Sequence, residues 1–253
     1  AGLDLTGQDD ALTGVLMDFA RTDTQPRSRN FADWLVSRMS LMGIGMLVTA
    51  GTAWGLSTLA IGPDGTATAL GQAIYYSPLK WVIMFLPLVM VFAFGAAINR
   101  LSTAGATLLF YAFAAAMGAS LSSIFLRYTD ASIVTTFLAT AGGFAALSLY
   151  GYTTKRDLSA MGRFLMIGLV GLIIAMLVNM FVGSGAVAFA ISTVGVLIFA
   201  GLTAYDTQKI KEMYYVGDGA AVAEKKAIMG ALALYLDFIN MFQFLLMFLG
   251  NRE

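Results

Sequence analysis

Seven apolar stretches, almost free of charge, divide this chain at residues 37–61, 81–99, 105–126, 132–152, 164–182, 186–205 and 227–249. Each is close to the roughly 20 residues that a helix needs to cross a bilayer. Hydrocarbon offers the peptide groups no water, so each stretch must satisfy its own hydrogen bonds as a helix. The joints Asn99-Arg100-Leu101-Ser102, Arg127-Tyr128-Thr129-Asp130 and Gly183-Ser184-Gly185 are short enough to make antiparallel hairpins of their neighbours. Two longer joints, Gly62 to Lys80 and Asp206 to Lys226, carry the turn signals Gly62-Pro63-Asp64-Gly65 and Gly217-Asp218-Gly219. The expected fold is an all-α seven-transmembrane-helix bundle. It comprises a cytoplasmic amino-terminal segment (1–33), a membrane domain (34–250) and a short outer tail (251–253).

Composition narrows the chemistry. The 253 residues are 58% apolar and 12% charged, against about 45–50% and about 25% in soluble domains, so chemistry belongs to the bundle and its loops. Cysteine and histidine are both absent, which removes disulfides, thiol nucleophiles, Ser-His-Asp triads and zinc sites built on those ligands. Hard-cation sites made of oxygen ligands remain available. A net charge of zero gives no footprint for nucleic acid. The opening stretch to Asn30, with Asp9, Asp10, Asp18 and Asp23 and no long apolar core, does not read as a secretory signal. Its Leu12, Val15, Leu16 and Phe19 fall at helical spacing, which suits a surface helix on the bundle or headgroups, or a docking segment for a partner.

Orientation follows from the fifteen Lys and Arg residues. Twelve fall on the amino-terminal side: Arg21, Arg27, Arg29, Arg38, Arg100, Lys155, Arg156, Arg163, Lys209, Lys211, Lys225 and Lys226. Lys80, Arg127 and Arg252 make up the other three. The positive-inside rule then places the amino terminus in the cytoplasm and the carboxyl terminus outside. Tyr75, Tyr76, Trp81 and Tyr128 fall on the outer boundary, and Trp34, Tyr150, Tyr152, Tyr214 and Tyr215 on the inner one, as aromatic belts.

Small residues inside the spans, such as Gly51 and Gly55 or Gly142 and Gly143, read as points of close helix approach. The acidic residues are more telling, because only Asp206 and Asp237, of fifteen, lie at or inside an apolar span. Asp237 is about ten residues into the last span, roughly 15 Å deep and near the midplane. A charge there is expensive, so it should face the bundle interior and have a partner. Asn240 and Gln243 continue a polar stripe on the same side. Asp206 enters the sixth span from the cytoplasmic end, where it pairs either with Lys209 or Lys211 or with a group inside the bundle. Spans six and seven are antiparallel neighbours, which allows the two aspartates to meet. Two carboxylates a few Å apart cannot both ionise cheaply, so such a pair shares a proton and titrates as a unit. Arg100 closes the second span on the same side, as a membrane anchor or as a counter-charge to the pair.

Tyr205-Asp206-Thr207-Gln208-Lys209-Ile210 and Leu234-Tyr235-Leu236-Asp237-Phe238-Ile239-Asn240 resemble the signature of the transmembrane Bax inhibitor motif (Bax inhibitor-one) family. Gly151-Tyr152-Thr153-Thr154-Lys155-Arg156-Asp157-Leu158-Ser159 and Leu121-Ser122-Ser123-Ile124-Phe125 resemble its bacterial branch. The resemblance implies a bundle with the last helix central and a bacterial cytoplasmic-membrane location. It also implies a pH-sensitive calcium leak gated by Asp206 and Asp237, with Arg100 holding the pair closed. Calcium is then the permeant ion, met by Asp206, Asp237 and Asn240, and no cofactor or enzymatic activity is expected.

Two other classes compete. Some members of the family are said to bind membrane proteins, such as a membrane protease, without transporting anything. An intramembrane aspartyl protease would also carry one Asp on each of two adjacent spans, but this chain has Tyr235-Leu236-Asp237 in place of Gly-x-Gly-Asp and lacks the downstream Pro-Ala-Leu.

Overall fold

A computed structural model describes residues 27–213 and 219–251, with side chains from Ser40 onward apart from Ala220. The amphipathic segment at Leu12 to Phe19, the inner-belt residues Tyr214 and Tyr215, the Trp34 side chain and Arg252 lie outside the described residues. The chain divides into two compact units at Ser37, and the second, Arg38–Glu253, holds the bundle.

Seven helices among the described residues are long and apolar enough to cross a membrane. They are α1 (Arg27–Ala60), α2 (Leu79–Ala97), α3 (Thr103–Leu121), α4 (Asp130–Thr153), α5 (Ser159–Val182), α6 (Gly185–Glu212) and α7 (Ala220–Leu249). Serine and threonine caps set several starts: Ser102, Thr129 and Ser184 accept hydrogen bonds from Gly105, Ser132 and Val187 at the heads of α3, α4 and α6. Gly183 ends α5 in the left-handed region, at φ 67°, a conformation that glycine adopts freely.

The joints differ from expectation in two places. The Gly62 to Lys80 connection is ordered: an Ile61–Ala67 bridge leads to a helical turn at Ala69–Gly71 and a π-helical turn at Gln72–Tyr76. The Asp206 to Lys226 connection is largely helix, because α6 continues to Glu212 and α7 starts at Ala220. Hydropathy falls at Thr207-Gln208-Lys209, but these residues still form helix. Thr207 donates back to the Thr203 carbonyl at 2.7 Å, and Lys209 and Lys211 sit in the last turn, where cations suit the helix dipole.

The last helix is the centre of the bundle. Half of the α7 span is buried, against 11% for α2 and 6% for α5. It packs chiefly against α6, α4 and α3. Tyr235 ties it to α1: its hydroxyl lies 2.6 Å from that of Thr49, which also lies 2.9 Å from the Ala114 carbonyl of α3. Phe110 and Phe113 of α3 meet the Tyr235 ring edge-on at 5.8 and 5.7 Å.

Close approach falls on other glycines than Gly51, Gly55, Gly142 and Gly143. A Cβ at any of those four would meet nothing within 4 Å. The tight crossings are at Gly118, where a Cβ would stand 2.5 Å from the Thr49 carbonyl, and at Gly151, where it would stand 2.1 Å from that of Ala204. Helices apolar all round do not reveal in sequence which face meets protein and which meets lipid.

Candidate functional site

Asp206 and Asp237 meet. Their carboxyls share a hydrogen bond between α6 and α7. Asp237 is only 4% exposed, whereas Asp206 is half-buried. The second Asp237 oxygen, Oδ2, is buried and has no hydrogen-bond partner, a condition that Ser148 Oγ of α4 shares among the described residues. A hydrogen bond between two carboxyls requires a proton on one of them, so the geometry is that of a pair holding one proton.

Asp206 lies near the carboxyl-terminal end of α6, as the sequence implied. Asp206 is six residues before Glu212, or about 9 Å along the axis at about 1.5 Å per residue. Asp237 lies seventeen residues after Ala220 and twelve before Leu249, in the interior of α7. On the far side of the pair lies an apolar cluster that includes Phe199, Leu202, Met241 and Phe244. Phe199 and Phe244 stack at 5.8 Å.

The α4–α5 loop holds the α6 end in register. Gln208, buried on α6, accepts from the Leu158 N–H and donates to the Arg156 carbonyl, both at 2.8 Å. Lys211 Nζ donates to the Tyr152 carbonyl at 2.8 Å. Gly151 admits the Ala204 backbone, and Gly162 of α5 lies against the Tyr205 ring, so the residues before Asp206 are fixed from two sides. Asp157 in the loop is exposed and accepts from the Ser159 N–H at 2.8 Å. The Ser159 hydroxyl and amide hold its carboxyl below the usual carboxylate range, so this acid stays charged near neutral pH.

Gln208→Ala removes both hydrogen bonds of a buried connection and strands the Leu158 N–H. An unsatisfied buried donor costs about 1–3 kcal/mol. Thermal unfolding in detergent should show a lowered midpoint, and an unchanged midpoint would mean that the loop is held by other contacts.

The remaining sequence candidates are placed as follows. Arg100 is exposed at the turn after α2, its backbone N–H donating to the Ala97 carbonyl at 2.8 Å. Lys209 stands one turn beyond Asp206 on α6, its Nζ 5.7 Å from the Tyr205 ring centroid. Asn240 is half-buried one turn beyond Asp237 and donates to the Leu236 carbonyl at 2.8 Å. Among the described residues no three Asp, Glu, His or Cys side chains converge as a metal cage. A cation near the pair therefore has to complete its shell with carbonyls and water.

The family described as "Inhibitor of apoptosis-promoting Bax1" matches residues 35–253, nearly all of the bundle and both aspartate motifs. The chain belongs to the Bax inhibitor-one family. Among its relatives, inner membrane protein YbhL of Escherichia coli (strain K12) is 41% identical over 240 residues, 93% of this chain and 99% of that protein. An uncharacterised protein of Rickettsia prowazekii is 40% identical over 243 residues, covering 94% of this chain and all of its own length. A membrane protein of Streptococcus pyogenes is 42% identical over 172 residues, 66% of this chain and 72% of its own. This Bax inhibitor-one family member is a multi-pass membrane protein.

Sequence reasoning found the two aspartates because acids are rare in the spans. It missed Gln208, Gly151 and Gly162. Gln208 lies inside the Tyr205 to Ile210 motif and Gly151 opens the loop motif, so the proximity of two family motifs was the available signal.

Proposed function

We propose that this Bax inhibitor-one family protein is a proton-gated calcium leak of the bacterial cytoplasmic membrane, with its amino terminus in the cytoplasm and its carboxyl terminus outside. The observation that carries this reading is the carboxyl–carboxyl hydrogen bond of Asp206 and Asp237, with the second Asp237 oxygen buried and unpartnered. With the shared proton in place, Asp206 is engaged by Asp237 and Arg100 stays at the exposed turn. Loss of the proton leaves two charges side by side, and Asp206 then takes Arg100 as its partner, which draws α2 towards α6 and closes the path. Calcium is the permeant ion, held briefly by the carboxylate that remains, with Asn240, backbone carbonyls and water. Weak, incomplete coordination suits conduction, since a permeating ion has to leave as readily as it enters. No reaction is catalysed in this scheme.

Calcium flux into liposomes holding the purified chain tests the proposal. Flux should rise as the medium is acidified from about pH 8 to about pH 6, then fall once both carboxyls are neutral and calcium has lost its charged ligand. Arg100→Ala should raise the flux at the alkaline end and leave the acidic end alone. Arg100→Lys should restore closure only in part, because an ammonium cannot grip a carboxylate as a planar fork does. Absence of flux at every pH would sink the leak and favour a protein that acts by binding a membrane protease or another membrane protein. If both Arg100 variants behave as the parent does, Arg100 is an anchor only.

A further inference from the structure

At the cation-poor end of the bundle, a cavity of about 450 Å³ opens between the π-helical turn, the start of α2 and the end of α3. Tyr75, Tyr76, Lys80, Trp81, Met84 and Arg127 line it. The Tyr75 hydroxyl donates to Ser122 Oγ at 3.0 Å, which fixes the turn against α3 and forms one wall. Only three Lys and Arg residues fall at this end by sequence, and two of them, Lys80 and Arg127, share this one cavity. Its lining includes no acidic residue. Two cations collected in a concave site without a carboxylate among them favour an anion.

The chemistry of that anion is further narrowed by what adjoins the cavity. Trp81 and Met84 are exposed beside the cavity, and Phe85 and Leu88 continue the exposed face along α2. Trp81 and Phe85 stack at 6.3 Å, and Lys80 Nζ lies 5.3 Å from the Trp81 ring centroid. A charged head in the cavity would thus lead directly onto an apolar track along a membrane helix. Lys80, Arg127 and the aromatic residues occupy helix ends, the level at which headgroups and aromatic belts lie. Basic pockets between membrane helices are suited to the phosphates of anionic lipids.

We propose that this cavity binds the phosphate headgroup of an anionic phospholipid, with Lys80 and Arg127 on the phosphate and an acyl chain along Trp81, Met84 and Phe85. The site is independent of the aspartate pair and of the leak reading.

Native mass spectrometry of the delipidated full chain tests this, with phosphatidylglycerol and phosphatidylcholine of identical acyl chains added in turn. The parent should retain phosphatidylglycerol about tenfold better, and Lys80→Gln or Arg127→Gln should each weaken it about fivefold, as expected for loss of one cation at a lipid surface. Lys80→Arg should keep the preference, and Lys155→Gln, a change at the opposite end, should not alter it. Equal retention of the two lipids by the parent would overturn the proposal, as would phosphatidylglycerol binding unchanged in both Gln variants. Complete displacement of the lipid by millimolar inorganic phosphate would also overturn it, because the site would then take free phosphate rather than a lipid. Should the Gln variants fail to fold, the comparison of the two lipids and the phosphate competition on the parent still decide the matter.

Discussion

Asp237→Asn should leave a calcium flux that varies less than about twofold between about pH 8 and about pH 6, a range over which the parent changes several-fold. The substitution keeps the size of the side chain and its capacity to hydrogen-bond Asp206, but removes the shared proton and its repulsion. Asp206 is then a lone carboxyl beside Lys209, without the neighbour that would make it titrate as part of a pair. Asp206→Asn should flatten the profile too. A parent-like pH profile in Asp237→Asn would reduce Asp237 to a structural hydrogen-bonding residue. Asp157 does not complicate the reading, because its carboxyl is held below the usual carboxylate range by Ser159 and stays charged throughout.

Gly151→Val should disrupt the bundle strongly. A Cβ at Gly151 would stand 2.1 Å from the Ala204 carbonyl oxygen and 3.0 Å from its Cα. These are backbone atoms of α6 and cannot swing aside, so α4 and α6 must separate. Overpacking of this kind costs about 3 kcal/mol at the upper end of its usual range, which in a chain of this size lowers an unfolding midpoint by roughly 5–10 °C. Gly142→Ala on the same helix is the control, because a Cβ there meets nothing within 4 Å. Equal midpoints for the two variants, measured by thermal unfolding in detergent, would mean that the α4–α6 crossing is looser than described.

These contrasts show what was legible in the sequence. Seven spans could be read because an uncharged run of bilayer length has few structural options. Asp206 and Asp237 stood out because charge is rare in such runs, and their meeting followed from consecutive antiparallel helices. Helix faces could not be read, so Gly142 and Gly151 looked alike although one faces open space and the other another backbone. The continuation of α6 beyond Tyr205 was also hidden, since hydropathy reports the solvent around a residue and not its backbone conformation. That extension is what brings Gln208 within reach of Leu158 and Arg156. The Lys80–Arg127 cavity joins residues 47 positions apart in sequence, and charge counting registered them only as two exceptions to a rule.

The buried Tyr235 has a mechanical consequence. Its hydroxyl contact with Thr49, and that of Thr49 with Ala114, anchor one face of α7 to α1 and α3, and two aromatic rings wedge the same side. Asp237 lies two residues further on, turned towards α6. Rotating α7 would tear a hydrogen-bonded seam in a medium with no water to replace it. The central helix is therefore held fast along that side, and in the gating proposed above it serves as the stator against which α2 shifts.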